Sequence, residues 1–355
     1  MRKQTIINLF LFLIYLLFLN VVSAQQSDVL TTETFYNTLA PYGIWEQRSD
    51  YGLVWVPRDV PLNWHPYTNG HWVYTDEYGW TWISDYEWGW APFHYGRWVN
   101  DSELGWSWIP GTVWSPAWVS WREGDNMIGW APLPPREHWR EAGLANEWDN
   151  VDADINVNSW TFVRDRDFAE RNILPFIFLP AQNVTFLGRT RNITRYESIN
   201  NKIVNRSFAP DRIEKAIGKS VAHFRIIDKN TPARTPISGN EVKMFRPAIS
   251  TVKPIDTSIV RKFPSQISQS ELDQMHSREL QNLQAQHQAE REKLIEFHQN
   301  EIKNPPPGIS PETFITQHKN EQLFQINQQQ SEMRQLQQRN NWEQRIINEP
   351  QNRRK

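Results

Sequence analysis

Along residues 42–135 apolar and small or polar positions alternate with a period of two, the signature of strands that pack at least one face. Gly52-Leu53-Val54-Trp55-Val56-Pro57 returns as Gly79-Trp80-Thr81-Trp82-Ile83-Ser84 and as Gly105-Trp106-Ser107-Trp108-Ile109-Pro110. A second arm follows each: Gly70-His71-Trp72-Val73, Gly96-Arg97-Trp98-Val99, and Ala117-Trp118-Val119-Ser120-Trp121. A shortened version closes the series at Gly129-Trp130-Ala131-Pro132-Leu133-Pro134-Pro135. The leading glycines of the full versions are 27 and 26 residues apart, and the third is 24 from Gly129. Such a fixed spacing marks one supersecondary unit stacked on its neighbours. Trp80 and Trp82 share one strand face, with Gly79, Thr81 and Ile83 on the other. Turn residues at Asp76-Glu77-Tyr78-Gly79, Asn69-Gly70 and Pro110-Gly111 separate the arms. The pattern predicts a meander of twisted hairpins with a row of indoles along one face.

The rest of the chain reads differently. Residues 34–39 predict a short helix stopped by Ala40-Pro41. Residues 136–156 are charged and irregular, and Trp139 and Trp148 are expected to pack back on the Trp-rich block. Within 136–229 a small α+β module is predicted, with a strand at 159–163 and a short helix at 181–188. A hairpin turns at Asn200-Asn201, a helix runs over 210–217 up to Gly218, and a strand closes the module at 221–227. Prolines at 232, 236, 247, 254 and 264 without hydrophobic periodicity predict an extended, solvated linker over 230–268. Beyond it, residues 269–303 lack Pro and Gly, and an eleven-residue spacing links Leu272, Leu283 and Leu294, then His276, His287 and His298, then Glu279, Glu290 and Glu301. Eleven residues over three turns gives a nearly straight, slightly right-handed helical stripe. Pro305-Pro306-Pro307-Gly308 breaks it, and a Gln-rich helix follows over 311–346. This helical or coiled-coil tail is expected to fold as a hairpin or to self-associate between chains. The fold class is therefore mainly β, with tandem Trp-rich β-hairpin repeats over 28–135, a small α+β module and the helical tail.

Composition sharpens the picture. Fifteen of the nineteen tryptophans lie in 42–135. Residues 1–24 set Arg2 and Lys3 before an apolar run that ends in Val22-Ser23-Ala24, the layout of a cleavable secretory signal. No later stretch is apolar enough to span a bilayer. There is no cysteine, so disulfides, thiolate metal sites and cysteine nucleophiles are excluded. Export without cysteine points to a bacterial envelope, periplasmic or secreted. Residues 1–150 carry 8 Lys/Arg against 17 Asp/Glu, and residues 151–355 carry 30 against 23. An acidic aromatic half argues against nucleic acid as a partner.

Several motifs are also similar to those of a known group. Pro41-Tyr42-Gly43, the Trp64-x-Pro66-Tyr67-x-Asn69-Gly70-x-Trp72 run, the Trp88-Gly89-Trp90-Ala91-Pro92-Phe93-His94-Tyr95-Gly96-Arg97-Trp98 run, Pro116-Ala117-Trp118-Val119-Ser120-Trp121-Arg122 and Gly129-Trp130-Ala131-Pro132-Leu133-Pro134-Pro135 resemble an uncharacterised, exported bacterial Trp-rich family often labelled as proline-rich exported proteins. The resemblance spans about residues 35–228. It implies export and a β-rich fold, and supplies neither an activity nor functional residues.

Candidate chemistry centres on the indoles. A Trp face stacks on the C–H face of a sugar ring, and fifteen indoles exceed what so small a block is expected to bury fully. The ligand-binding candidates are Trp88, Trp90, His94, Arg97, Trp98, Trp106, Trp108, Trp118 and Trp121, with glycan or cell-wall polysaccharide as the ligand. The competing expectation makes every indole part of the core of a purely structural envelope scaffold. For Arg97, a cation–π contact is preferred over an anion site. Asp85 and Glu87, at i and i+2, would share a strand face as a glycosidase pair does, but adjacent carboxylates are common on solvated turns. No Gly-x-Ser-x-Gly elbow, phosphate loop or H-E-x-x-H motif is present. His276 and His287, ~16 Å apart on one helix, cannot share an ion. They suit a polar, pH-sensitive helix–helix seam. The expectation is a non-enzymatic binding protein with no cofactor and no metal.

Overall fold

The computed structural model describes residues 30–61, 63–124, 126–135, 151–251, 268–305 and 308–348. The expected leader, Trp139, Trp148 and residues 252–267 of the expected linker lie outside them. After strand β1 (Leu30–Thr31) and helix α1 (Thr32–Leu39), four antiparallel hairpins follow. They are β2 (Gly43–Arg48) with β3 (Gly52–Pro57), β4 (Gly70–Thr75) with β5 (Gly79–Ser84), β6 (Arg97–Asp101) with β7 (Gly105–Ile109), and β8 (Val119–Gly124) with β9 (Met127–Pro132).

Each hairpin places one tryptophan opposite another: Trp45 faces Trp55, Trp72 faces Trp82, Trp98 faces Trp108, and Trp121 faces Trp130. The hairpin joins a second arm to the next Gly-Trp-x-Trp arm, so it lies one strand out of phase with the order expected from sequence. Turn chemistry explains this. Three hairpins use a three-residue loop followed by glycine at positive φ, namely Gly52 (76°), Gly79 (76°) and Gly105 (79°). The left-handed backbone there suits glycine and matches the twist of the flanking strands.

Later elements pair with the edges of these hairpins. In chain order they are β10 (Thr161–Arg164), α2 (Asn183–Arg189), β11 (Arg191–Asn192), β12 (Tyr196–Ile199), β13 (Lys202–Asn205), α3 (Asp211–Ile217) and β14 (His223–Asp228). Then come β15 (Ile237–Ser238), β16 (Glu241–Met244), β17 (Ile249–Ser250), α4 (Gln269–Lys303) and α5 (Pro311–Asn348). The hairpins are therefore not one meander. They are shared among three sheets with strand orders β2-β3-β7-β6, β15-β16-β14-β4-β5 and β10-β9-β8-β11. The module expected over 136–229 shares sheets with the Trp-rich block: β10 pairs with β9, β11 with β8, and β14 runs parallel to β4. Within it, Asn200 and Asn201 adopt positive φ at the tip of the β12–β13 turn, and Gly218 ends α3 in the left-handed region.

Residues 230–251 correct the solvated-linker expectation. β16 pairs in parallel with β14 and buries Val242 and Met244, and β17 pairs with β1. Pro236 and Pro247 flank β16 instead of interrupting it, and the turn before it uses Gly239 at positive φ. Four alternating residues were too short a signal against five prolines.

The three sheets close over one aromatic core. Trp45, Trp55, Trp72, Trp80, Trp82, Trp98, Trp108, Trp121 and Trp130 are almost wholly buried in it, with Phe35, Tyr67, Phe93 and Phe168 between them. Many ring pairs meet edge to face, as Trp72 does with Trp82 and Trp130, the arrangement favoured by the ring quadrupole. The outer face of β5 is covered too, since Ile83 packs with Val73, Ile226, Val242 and Met244.

Helices α4 and α5 run antiparallel, joined by His–Glu rungs: His276–Glu343 at 2.8 Å, His287–Glu332 at 2.7 Å and His298–Glu321 at 2.9 Å. A fourth rung, His318–Glu301, runs the other way at 2.8 Å. The helical pair folds back on its own β body, where Trp342 and Ile346 join Ile44, Val54, Val56 and Leu104. Among the described residues no helix is long and apolar enough to cross a membrane.

Candidate functional site

The indoles expected to form a surface platform line the core instead. Trp88, Trp90, Trp98, Trp108, Trp118 and Trp121 are all buried, as is His94. Trp88 stacks between Tyr86 and Phe93, and Trp90 meets Phe35 and Phe245. The indole N–H groups of Trp98, Trp108 and Trp118 donate to the carbonyls of Pro92, Tyr95 and His94 at 2.9, 2.6 and 3.1 Å. Three sheets, supplemented by strands from later in the chain, enclose far more volume than an isolated meander, so these rings found partners inside.

His94 and Arg97 belong to the same packed layer. The His94 ring stacks on Trp114, and its Nδ1 lies 2.9 Å from the Ser115 carbonyl oxygen. Burial pushes its pKa down to about 4, so the ring is neutral at pH 7 and Nδ1–H donates to that carbonyl. The Arg97 guanidinium carbon sits 3.7 Å over the Trp118 ring, the expected cation–π contact, and burial pushes this arginine down to about 9. Asp85 and Glu87 do not form a strand pair, because Glu87 opens a short 3-10 turn over Glu87–Trp90. Both carboxylates hold Arg234: Asp85 pairs with its guanidinium, and Glu87 accepts from its backbone N–H at 3.1 Å.

Trp106 is the exception among the candidate indoles. Its ring is only partly buried and borders a cleft of about 380 Å³. Five pieces of chain form that cleft: the loop at 63–65, strands β6 and β7 near their loop, Pro132 and Pro134 at the end of β9, the turn at 154–159, and the face of α5 from Gln328 to Gln335. Hairpin geometry explains why Trp106 points outward. Both rings share one strand face, but Trp108 pairs opposite Trp55 of β3, while Trp106, two residues nearer the loop, lies beyond that single point of β3–β7 pairing. His65 sits beside Trp106 with ring centroids 5.8 Å apart. Its ring is partly open to the cleft, yet the surrounding protein pushes its pKa down to about 4. Burial also holds the Glu332 carboxyl above its usual range, against the opposing hydrogen bond from His287.

The rest of the lining mixes apolar side chains, among them Val99, Pro132, Pro134 and Ile155, with amides, hydroxyls and the carboxyls of Asp154 and Glu332. Asn63, Asn100, Asn156 and Asn158 supply amides, Ser102 and Ser159 hydroxyls, and Asp154 a carboxylate. Gln335 already donates to Asn100 Oδ1 at 2.9 Å and to the Asp101 carbonyl at 2.7 Å, which fixes one wall. The Asn158 Oδ1 acceptor is buried without a hydrogen-bond partner. The lining includes no lysine or arginine. Such a surface offers an aromatic face and neutral donors and acceptors, and it lies within the size range of small-molecule sites. A second hollow of about 330 Å³ shares Trp64, Trp106, Glu332 and Gln335 with it, but is lined largely by apolar residues under α4 and α5.

Sequence reasoning had named Trp98 and Trp106 of this lining and missed the others. Asn63, Asn100, Asn156, Asn158 and Gln335 come from separate stretches with no shared periodicity, so only the fold brings them together. Among the described residues no group of three or more His, Asp or Glu is placed to hold a metal ion.

Residues 36–137 match the model of a family described as of unknown function (DUF6600). That span begins in α1 and ends just past β9, covering the four hairpins. No curated protein and no solved structure matches the chain.

Proposed function

We propose that this chain is a non-enzymatic, exported bacterial envelope protein that binds a neutral glycan in the cleft beside Trp106. The observation that carries this reading is the cleft's lining. One half-open indole lies among amides, hydroxyls and a neutral imidazole, with no cation, and that suits the hydroxyls and C–H faces of an uncharged sugar. Cell-wall polysaccharide is the ligand class that matches an exported chain. Export itself is supported by the leader-like residues 1–24, and for an exported chain the absence of cysteine favours a bacterial envelope. We read the four hairpins as copies of one repeated unit, supported by the facing tryptophan pair in each, and α4–α5 as a coiled-coil-like pair, supported by the eleven-residue spacing of its rungs.

A second reading, a purely structural scaffold, is favoured by the burial of Trp88, Trp90, His94, Trp98, Trp108, Trp118 and Trp121 and their neighbouring rings. Isothermal titration of the mature chain with uncharged cell-wall oligosaccharides separates the two. Heat that is lost in Trp106→Ala, with the thermal melt unchanged, supports the cleft. Absence of heat with every such oligosaccharide leaves the scaffold reading standing.

A further inference from the structure

The helical pair has two sides. One side rests on the β body. On α4 that side is marked by Met275 and by Glu290, whose carboxylate accepts from Asn63; on α5 it is marked by Trp342. The seam between the helices is built by the His–Glu rungs and by Leu272, Leu283 and Leu294.

At 3.6 residues per turn, Ile295 and Ile302 lie roughly 80–100° around α4 from the seam, away from the body. By the same count Ile315 and Ile326 lie roughly 100–120° around α5, again on the side away from Trp342. The rungs set the register, since His298 meets Glu321. Ile302 is therefore level with Ile315 across the seam, and Ile295 with Ile326, while Leu323, two residues after Glu321, lies on the side of α5 away from α4. These four isoleucines are each between 50 and 67 % exposed, among the most exposed large hydrophobic residues described.

We infer that this outer face is the contact surface for a second copy of the chain, and that two helical pairs meet there as an antiparallel four-helix bundle. A two-fold axis along the helices lays α4 of one copy over α5 of the other. It sets Ile295 and Ile302 against the partner copy's equivalents of Ile326 and Ile315, in the rung register the single chain already uses. Such an isologous contact closes on itself and needs no other component.

The area suits this occupant. The four isoleucines leave ~250–350 Å² of apolar surface on each copy. Covered from both sides, with the aliphatic stems at the border, they reach the ~1,000 Å² that a specific interface needs. The border charges also favour a second copy. Exposed Glu292 and Glu296 and exposed Lys303 and Lys319 put both signs of charge on these helices, so the face presents neither the cationic rim that an anionic bilayer attracts nor a charge run for an oppositely charged partner. The face lies across the helical pair from the Trp106 cleft, and the inference does not depend on what the cleft binds.

Sedimentation of the full mature chain tests it. Wild-type protein is expected to form dimers at micromolar concentration. Ile302→Glu with Ile315→Glu should raise the dissociation constant by at least about a hundredfold, because four charges would be buried in the interface. Helical circular dichroism should stay unchanged. Since the chain has no cysteine, chains carrying Ile302→Cys and Ile315→Cys can be mixed and treated with a short thiol cross-linker. Linked mixed dimers are expected, with few from either variant alone, and this arm needs no disruptive substitution. A wild-type chain that remains monomeric overturns the inference, as does a dimer indifferent to both glutamates. A monomer that co-sediments with phosphatidylethanolamine–phosphatidylglycerol vesicles also overturns it and assigns the face to a bilayer.

Discussion

Trp72 and Trp82 face each other across the second hairpin with ring centroids 5.0 Å apart and planes inclined at 66°. Trp72 also meets Trp121 at 4.6 Å and Trp130 at 5.7 Å, so rings from two hairpins in different sheets converge on it. Trp72→Ala should therefore destabilise the body by ~3–5 kcal/mol, as expected for a large aromatic removed from a packed core. Trp72→Phe keeps a ring and should cost distinctly less. Urea unfolding followed by circular dichroism measures both, and a loss under about 1 kcal/mol for the alanine variant would contradict the core assignment.

Acid sensitivity follows from His94. Its folded-state pKa is depressed to about 4 from an ordinary value of 6.5, so below pH 6.5 the unfolded chain takes up a proton that the folded chain refuses. The stability associated with His94 is thus complete above pH 6.5 and lost as pH falls toward 4, ~3 kcal/mol in all. His65 is depressed to about 4 as well, but its ring is partly open and should add less. Unfolding midpoints between pH 7 and 4.5 should fall steadily in the wild type, and the slope should be shallower in His94→Gln.

Trp106 and Trp108 sit two residues apart on one strand and should respond oppositely. Trp106→Ala removes a partly exposed ring at the cleft, so the expected effect is lost oligosaccharide binding with a stability change within ~1 kcal/mol. Trp108→Ala, which deletes a buried ring and its 2.6 Å hydrogen bond to the Tyr95 carbonyl, should unfold the third hairpin first. Titration and thermal melts of the pair distinguish these outcomes.

Docking of the helical pair rests on Trp342 more than on charge. Trp342 packs among Ile44, Val54, Val56 and Leu104, whereas the Arg345–Glu103 pair is exposed. Trp342→Ala should loosen the helices from the body, shown by faster amide exchange in α5, while Arg345→Ala should change stability by ~0–1 kcal/mol.

The sequence carried the parts better than their assembly. Local pattern located α4 and α5, because residues 269–303 lack Pro and Gly and repeat every eleven residues, and Pro305-Pro306-Pro307-Gly308 separates the two helices. Local chemistry also marked the Asn200-Asn201 turn and the Gly218 stop. It could not show that β14 and β16 extend the sheet of β4 and β5, since parallel pairing between residues 150 apart leaves no local periodic trace. That omission led to the platform expectation: without the later strands, fifteen indoles outnumber the space available. The cleft was harder still. Asn100 and Gln335 are adjacent in space but 235 residues apart in the chain. Nothing in either neighbourhood distinguishes them from ordinary polar surface.

The pairing of β1 with β17 has a consequence for biogenesis. Leu30 aligns with Ile249, and Thr31 with Ser250, so one of the first described strands has no partner until some 220 intervening residues have been made. Closing so long a loop is slow, and non-local pairings of this kind are formed late. During synthesis the tryptophan-rich segment must wait, open and aromatic, for strands from much further along. The unfinished chain can pair its four hairpins locally, but the sheets those hairpins share with β10, β11, β14 and β16 close only once those later strands have been made. It also depends, until Ser250 arrives, on being kept from its own kind.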